Sequence, residues 1–243
     1  MTRLAYVATA AALMFSSCNT IPVDRTEFAY VSQVAETRRY INDVTQKAID
    51  WSRMSHVKII CLTNEASVGH GSGAYLSYKG EYYIITATHV IENAVKMSVF
   101  EGGIFHDMVP LVVFQNADIA ILKIKELPRK IALPLEKVKV ADESNIGDHV
   151  VYTGYPNLTG PLTVFGQISG HSSQTSIILQ SYAWGGASGS LVLNGKGQLV
   201  AILSGIELAS DDPGKPPVKN ETVVIADMIP PNLAEIIDYA IKK

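Results

Sequence analysis

From His56 onward the chain is written in short runs of β-branched and aromatic residues, each of strand length and too short for a packed helix. Val57–Leu62, Gly73–Tyr78, Tyr82–Thr86, Met97–Phe100 and Ile119–Ile124 form one set. A second set holds His149–Thr153, Thr163–Ser169, Ser176–Gln180, Ser190–Leu193, Leu199–Ser204 and Thr222–Ile225. Between them lies Pro128–Pro134, where two prolines flank a segment with no helical period, as a linker does. Asn194-Gly195-Lys196-Gly197 supplies glycines where a tight hairpin needs left-handed backbone. Two sets of about six strands each predict an all-β chain of two small barrels or sandwiches. The expected boundaries are 56–127 for the first unit and 138–228 for the second.

Helical spacing occurs only at the ends. Phe28, Val31, Val34, Ile41, Val44, Ala48 and Trp51 recur at three- and four-residue steps over Glu27–Arg53, after an Asp24/Glu27 capping box. Pro231–Lys243 suits a second helix, with proline at its start and Leu233, Ile236, Ile237 and Ile241 on one face. A loop rich in Pro, Asp and Lys is expected over Ser210–Asn220.

The composition excludes several classes of function. Hydrophobic residues are 47% and charged residues 18% of the chain, as in a well-cored globular protein. A net charge of −3 without a dense Lys/Arg cluster leaves no footprint for nucleic acid. The six histidines show no metal-ligand spacing, so neither metal nor cofactor is expected. Arg3, the apolar stretch Leu4–Phe15 and the small residues Ser16-Ser17 before Cys18 read as an export signal over 1–18, too short to span a bilayer. The ending resembles a bacterial lipobox with Phe15 in place of the usual leucine. Lipidation of Cys18 and ordinary signal cleavage are the two alternatives, and 19–26 then reads as a tether. The expected location is the periplasm or outer surface, with a membrane anchor if Cys18 is modified. The other cysteine, Cys61, lies beside Ile59-Ile60 and reads as a buried apolar residue with no disulfide to make.

Three segments carry chemistry. Gly185-Gly186-Ala187-Ser188-Gly189-Ser190 sets a hydroxyl among glycines, which free the backbone to aim adjacent N–H groups at one point. Tyr83–His89 ends a strand run with a histidine, and Asp118 stands just before the run Ile119–Ile124. An alcohol is a poor nucleophile at neutral pH and needs a base, and that base needs an orienting acid. His89, Asp118 and Ser188 follow the chain order of the chymotrypsin-type triad. Asp107 is the only rival aspartate between the histidine and the linker, and Ser190 the rival hydroxyl. His56, His70, His106, His149 and His171 read as solvated or loop residues.

Together these segments resemble the trypsin-like (chymotrypsin-fold) serine proteases, nearest to their bacterial HtrA-like branch. Gly71-Ser72-Gly73-Ala74-Tyr75-Leu76 resembles the family's entry to the strand before the histidine. Gly154-Tyr155-Pro156 with Gly166–Gly170 resembles the start of its second barrel, and Leu199–Gly205 the strand lining its cleft. The resemblance spans Val57–Ile241 and implies two six-stranded antiparallel barrels over 56–243, flanked by an N-terminal and a C-terminal helix. It further implies a serine endopeptidase acting on proteins or peptides. His89 would be the base, Asp118 the orienting acid and Ser188 the nucleophile, and the Gly186 and Ser188 N–H groups would form the oxyanion hole. Ser204 would hydrogen-bond the acid, and Tyr182 would floor the primary pocket, favouring cleavage after uncharged residues.

The chain departs from the family in three places. Ser190-Leu191 stands where Gly-Pro is common, so activity depends on the backbone angle at Ser190. Ala187 replaces the aspartate of zymogen-activated enzymes. No sequence follows Lys243 for an appended PDZ module, so the expectation is a branch member without one. A non-catalytic binding or chaperone-like module on the same fold is the alternative function. An α/β-hydrolase is excluded, because no histidine follows Ser188.

Overall fold

The computed structural model describes residues 45–65, 67–209 and 218–243. The export signal, Cys18, the tether, the first part of the predicted helix and most of the Ser210–Asn220 loop lie outside the described residues.

Residues 45–55 form helix α1. The first barrel is β1 (His56–Thr63), β2 (Val68–Tyr78), β3 (Glu81–Thr86), β4 (Ala94–Glu101), β5 (Ile104–Val113) and β6 (Ala120–Ile124), with a one-turn helix α2 (Thr88–Ile91) after β3. Its order is β1-β4-β5-β6-β3-β2, closed by β1–β2 pairing, and a two-residue strand β7 (Leu133–Pro134) runs parallel to β2. The second barrel is β8 (His149–Gly154), β9 (Leu162–His171), β10 (Ser176–Gln180), β11 (Leu191–Asn194), β12 (Leu199–Ala209) and β13 (Val218–Met228). It closes in the order β10-β13-β12-β11-β8-β9, and helix α3 (Leu233–Ile241) follows. These are the two six-stranded antiparallel barrels with flanking helices that the resemblance implies.

Strand alternation sends neighbouring side chains to different cores. In β3, Ile84 points into the first barrel with Val57, Ile59, Tyr75 and Leu122. Tyr83 and Ile85 face a separate core between the barrels, where Leu76 and Ile121 meet Val151, Leu191, Leu193 and Ile202. Ala48 of α1 and Leu233 and Ile237 of α3 join that shared core. The second barrel is filled by Val150, Tyr152, Ile168, Leu179, Val192, Leu203 and Val224. Each large apolar side chain so buried contributes roughly 1.5–3 kcal/mol. Both faces of β3 are covered, which is why Tyr83-Ile84-Ile85 reads as a continuous apolar run rather than an alternating one.

Strand β5 escapes the sequence pattern. Its residues Ile104, Phe105 and Val109 are exposed, and Pro110 interrupts it. The pairing with β6 shifts between Pro110 and Val112, and a bulge of this kind accommodates a proline that cannot donate to the ladder. The linker is likewise partly strand, since Leu133 pairs with Leu76. Cys61 is buried as expected, and burial pushes its thiol up to about 11.

Candidate active site

The three chemical segments converge where the two barrels meet. His89 sits in α2, immediately after β3, and its main-chain N–H donates to Asp118 Oδ1 at 2.9 Å. The imidazole Nδ1 lies 2.5 Å from Asp118 Oδ2, so both carboxylate oxygens hold one residue. That contact commits Nδ1 to the acid and leaves Nε2 free. The Asp118 hydrogen bond raises the His89 pKa from its ordinary 6.5 despite opposing burial, with Asp118, Glu92 and Asp227 adding smaller electrostatic contributions. Burial pushes the Asp118 carboxyl up, but the hydrogen bonds from His89 outweigh it and the net shift is downward. The pair is only partly enclosed, with 43% of the His89 side chain accessible.

Ser188 is half-buried on the loop before β11, and its hydroxyl donates to the Ser204 carbonyl at 3.4 Å, a long bond. Among the described residues no hydrogen bond joins Ser188 to His89. The loop is pinned on both sides. Gly189 N–H donates to Leu203 O at 2.7 Å in β12, and Ser72 N–H in β2 donates to Ser188 O at 2.8 Å. Gly189 has φ +86°, and a Cβ there would lie 2.1 Å from Ser72 O and 2.2 Å from Thr86 Oγ1. Only glycine fits after this serine.

The preceding turn sets two main-chain donors. Ala187 N–H donates to Trp184 O at 2.9 Å, and Gly186, third in that turn, has φ +94°, the geometry of a type II turn. The Gly185 carbonyl accepts from Asn157 N–H at 2.7 Å. In a trans peptide the carbonyl and the following N–H point in opposite directions, so Gly186 N–H is turned away from Asn157. Neither Gly186 N–H nor Ser188 N–H has an acceptor among the described residues, although Gly186 is buried. The Ser72 hydroxyl fastens the turn from below, donating to Gly186 O at 2.7 Å and accepting from Tyr155 N–H at 2.8 Å. Ser190 is fully buried outside the left-handed region, and its hydroxyl donates to Ala187 O at 2.7 Å. The space its hydroxyl fills is left by Gly154, where a Cβ would lie 2.2 Å away.

Four sequence readings need correction or completion. Ser204 does not bond Asp118; its hydroxyl makes a short hydrogen bond to Asp227 Oδ2, an acid the sequence did not single out. Tyr182 is 55% exposed and stacks on Trp184, so it is not an enclosed floor. Its main chain is held from beneath by a short hydrogen bond from the Tyr152 hydroxyl. His56 is not a solvated residue. It is buried against Tyr155 and 3.2 Å from Lys130 Nζ, and burial with Lys130 lowers its pKa to about 4. His70, in β2, packs its Nε2 against Gly186, where a Cβ would come within 2.3 Å of it. Ser72 lay in a motif already noted, but its contacts reach residues more than 80 positions away and no local pattern announces them.

A model of the trypsin-like peptidase domain matches residues 71–202. No curated protein sequence matches the chain. Among solved structures, the fold is similar to the active form of the Rv3671c protease from M. tuberculosis, with TM-score 0.58, 19% identity, and coverage of 76% of this chain and 80% of that one. It is similar to a serine endoprotease from Yersinia pestis, with TM-score 0.61, 24% identity, and coverage of 82% and 67%. A serine-to-alanine variant of the HtrA-type protease AlgW with a tripeptide gives TM-score 0.61 and 20% identity; 80% of this chain covers 62% of that longer one. At these identities the solved structures speak for the fold alone.

Proposed function

Because the chain belongs to the trypsin-like peptidase domain family, we propose that it is a serine endopeptidase working through Ser188, His89 and Asp118. The observation that carries this reading is the two-point hold of Asp118 on His89 beside a serine loop with two unengaged N–H groups. Asp118 fixes the tautomer that leaves Nε2 as a base and stabilises the imidazolium formed when it takes the Ser188 proton. For this the Ser188 hydroxyl leaves the Ser204 carbonyl and turns to His89. The oxygen then attacks the scissile carbonyl, whose oxyanion is received by the N–H groups of Gly186 and Ser188. His89 returns the proton to the leaving amine, and water repeats the sequence in reverse to free the acyl group. A preorganised donor of this kind is worth about 3–4 kcal/mol of barrier.

The substrates are proteins or peptides. The stacked Tyr182 and Trp184 set an uncharged aromatic surface beside the serine loop, which supports cleavage after uncharged residues; faster cleavage after Arg than after aliphatic residues in a peptide panel would contradict that preference. The Ser16-Ser17-Cys18 sequence supports export and lipid anchoring, which a loss of radiolabelled palmitate incorporation in Cys18→Ala would test. For the reaction itself, turnover of an unfolded protein substrate should vanish in Ser188→Ala. Equal turnover in wild type and variant assigns the hydrolysis to a contaminant. A wild type with no turnover, yet with affinity for unfolded chains, favours the binding-module reading, which the resting Ser188–Ser204 contact also suits.

A further inference from the structure

Among the described residues, Asp227 is the one buried acid next to this machinery that the triad does not use. It lies in β13, 7% exposed, in a row whose neighbours of the same parity are Val223 and Ile225. Its strand partners are Ser176 in β10 and Ile202 in β12. One carboxylate oxygen accepts from the Ser176 hydroxyl at 2.5 Å and the other from the Ser204 hydroxyl. No cation is bonded to it among the described residues. A carboxylate is expensive to bury, and an apolar residue would continue the row at lower cost. What the acid adds is a connection, since the residue it grips by the hydroxyl offers its carbonyl to the nucleophile at 3.4 Å.

We propose that Asp227 is a second, positioning acid of the site, which holds Ser204 through its hydroxyl and sets a buried negative charge within electrostatic reach of His89. The proposal rests on the serine-peptidase reading of Ser188, His89 and Asp118. By taking the Ser204 hydroxyl, Asp227 leaves Asp118 to its hydrogen bonds with the ring and main chain of His89 and with the main chain of Thr88. Its charge joins those of Asp118 and Glu92 in favouring the protonated imidazole. The sign follows. Neutralising Asp227 makes His89 easier to deprotonate, so the base stays active to lower pH.

The test is Asp227→Asn, which keeps size and hydrogen-bonding capacity while removing the charge, with Asp227→Thr as a second neutral variant. The His89 ring is titrated by NMR, a readout independent of turnover, and the acid limb of kcat/KM is measured beside it. In both variants His89 should titrate at lower pH than in the wild type. On the acid flank each should keep at least about twofold more of its maximal rate than the wild type does. An unchanged His89 titration overturns the proposal, even if kcat falls. Failure of both variants to fold overturns it too, by assigning Asp227 to the barrel rather than to His89. A shifted titration in a protein without Ser188-dependent turnover supports the electrostatic role and sinks the peptidase reading instead.

Discussion

At the scale of single residues, the two positions after Ser188, the proposed nucleophile, differ sharply. Gly189 is locked by its φ of +86° and by the Ser72 carbonyl 2.1 Å from any Cβ. Gly189→Ala should therefore lower stability by about 2–5 kcal/mol in a denaturant titration and abolish turnover. Ser190 has no such constraint, and Ser190→Gly should cost only about 1–2 kcal/mol and leave turnover in place. The His89–Asp118 contact sets the pH behaviour. As the proposed base His89 works only when neutral, and the Asp118 hydrogen bond raises its pKa from the ordinary 6.5, so kcat/KM should fall as pH drops through that raised value. Asp118→Asn removes the main upward cause, so the limb should move to lower pH while kcat drops about 10⁴-fold. In stability the same contact counts most between 3.8 and 6.5: the Asp118 contribution is lost below that window and the His89 contribution above it. The proposed trio of His89, Asp118 and Ser188 could be picked out because each member sits in a motif a few residues long. Asp227, His56 and the Ser72 hydroxyl were not, because their contacts come from partners far away along the chain.

At the scale of elements, continuous apolar runs such as Tyr82–Thr86 and Leu199–Ser204 were legible because two cores bury both of their faces. Strand β5 was not, since its outward residues are apolar and its proline mimics a break; only the neighbouring strand and a bulge make it a strand. Helix α3 shows the opposite case. Its apolar face was readable, and Leu233 and Ile237 are fully buried in the core between the barrels. Ile237→Ala should cost about 2–4 kcal/mol by leaving a cavity. It touches none of the catalytic groups, so the pH profile of turnover should be unchanged, and a shifted acid limb would show that α3 reaches the site.

At the scale of the whole molecule, the barrels contribute to one shared core as well as two private ones, and the site is built across their junction. Ser72 of the first barrel grips the Gly186 carbonyl and Ser188 carbonyl of the second, while Leu76 and Ile121 pack with Leu191 and Ile202. Neither barrel should survive the loss of the other, so unfolding followed by tryptophan fluorescence and by far-UV circular dichroism should give coincident transitions. Two separated transitions would mean that the shared core couples them weakly. The central claim is that Ser188 is a nucleophile activated by His89. Intact mass and peptide mapping after treatment with a fluorophosphonate probe read this directly. At a pH where His89 is neutral, the wild type should gain one covalent adduct on Ser188, and Ser188→Ala none. A wild type that stays unmodified, or an adduct on Ser190 instead, would contradict it.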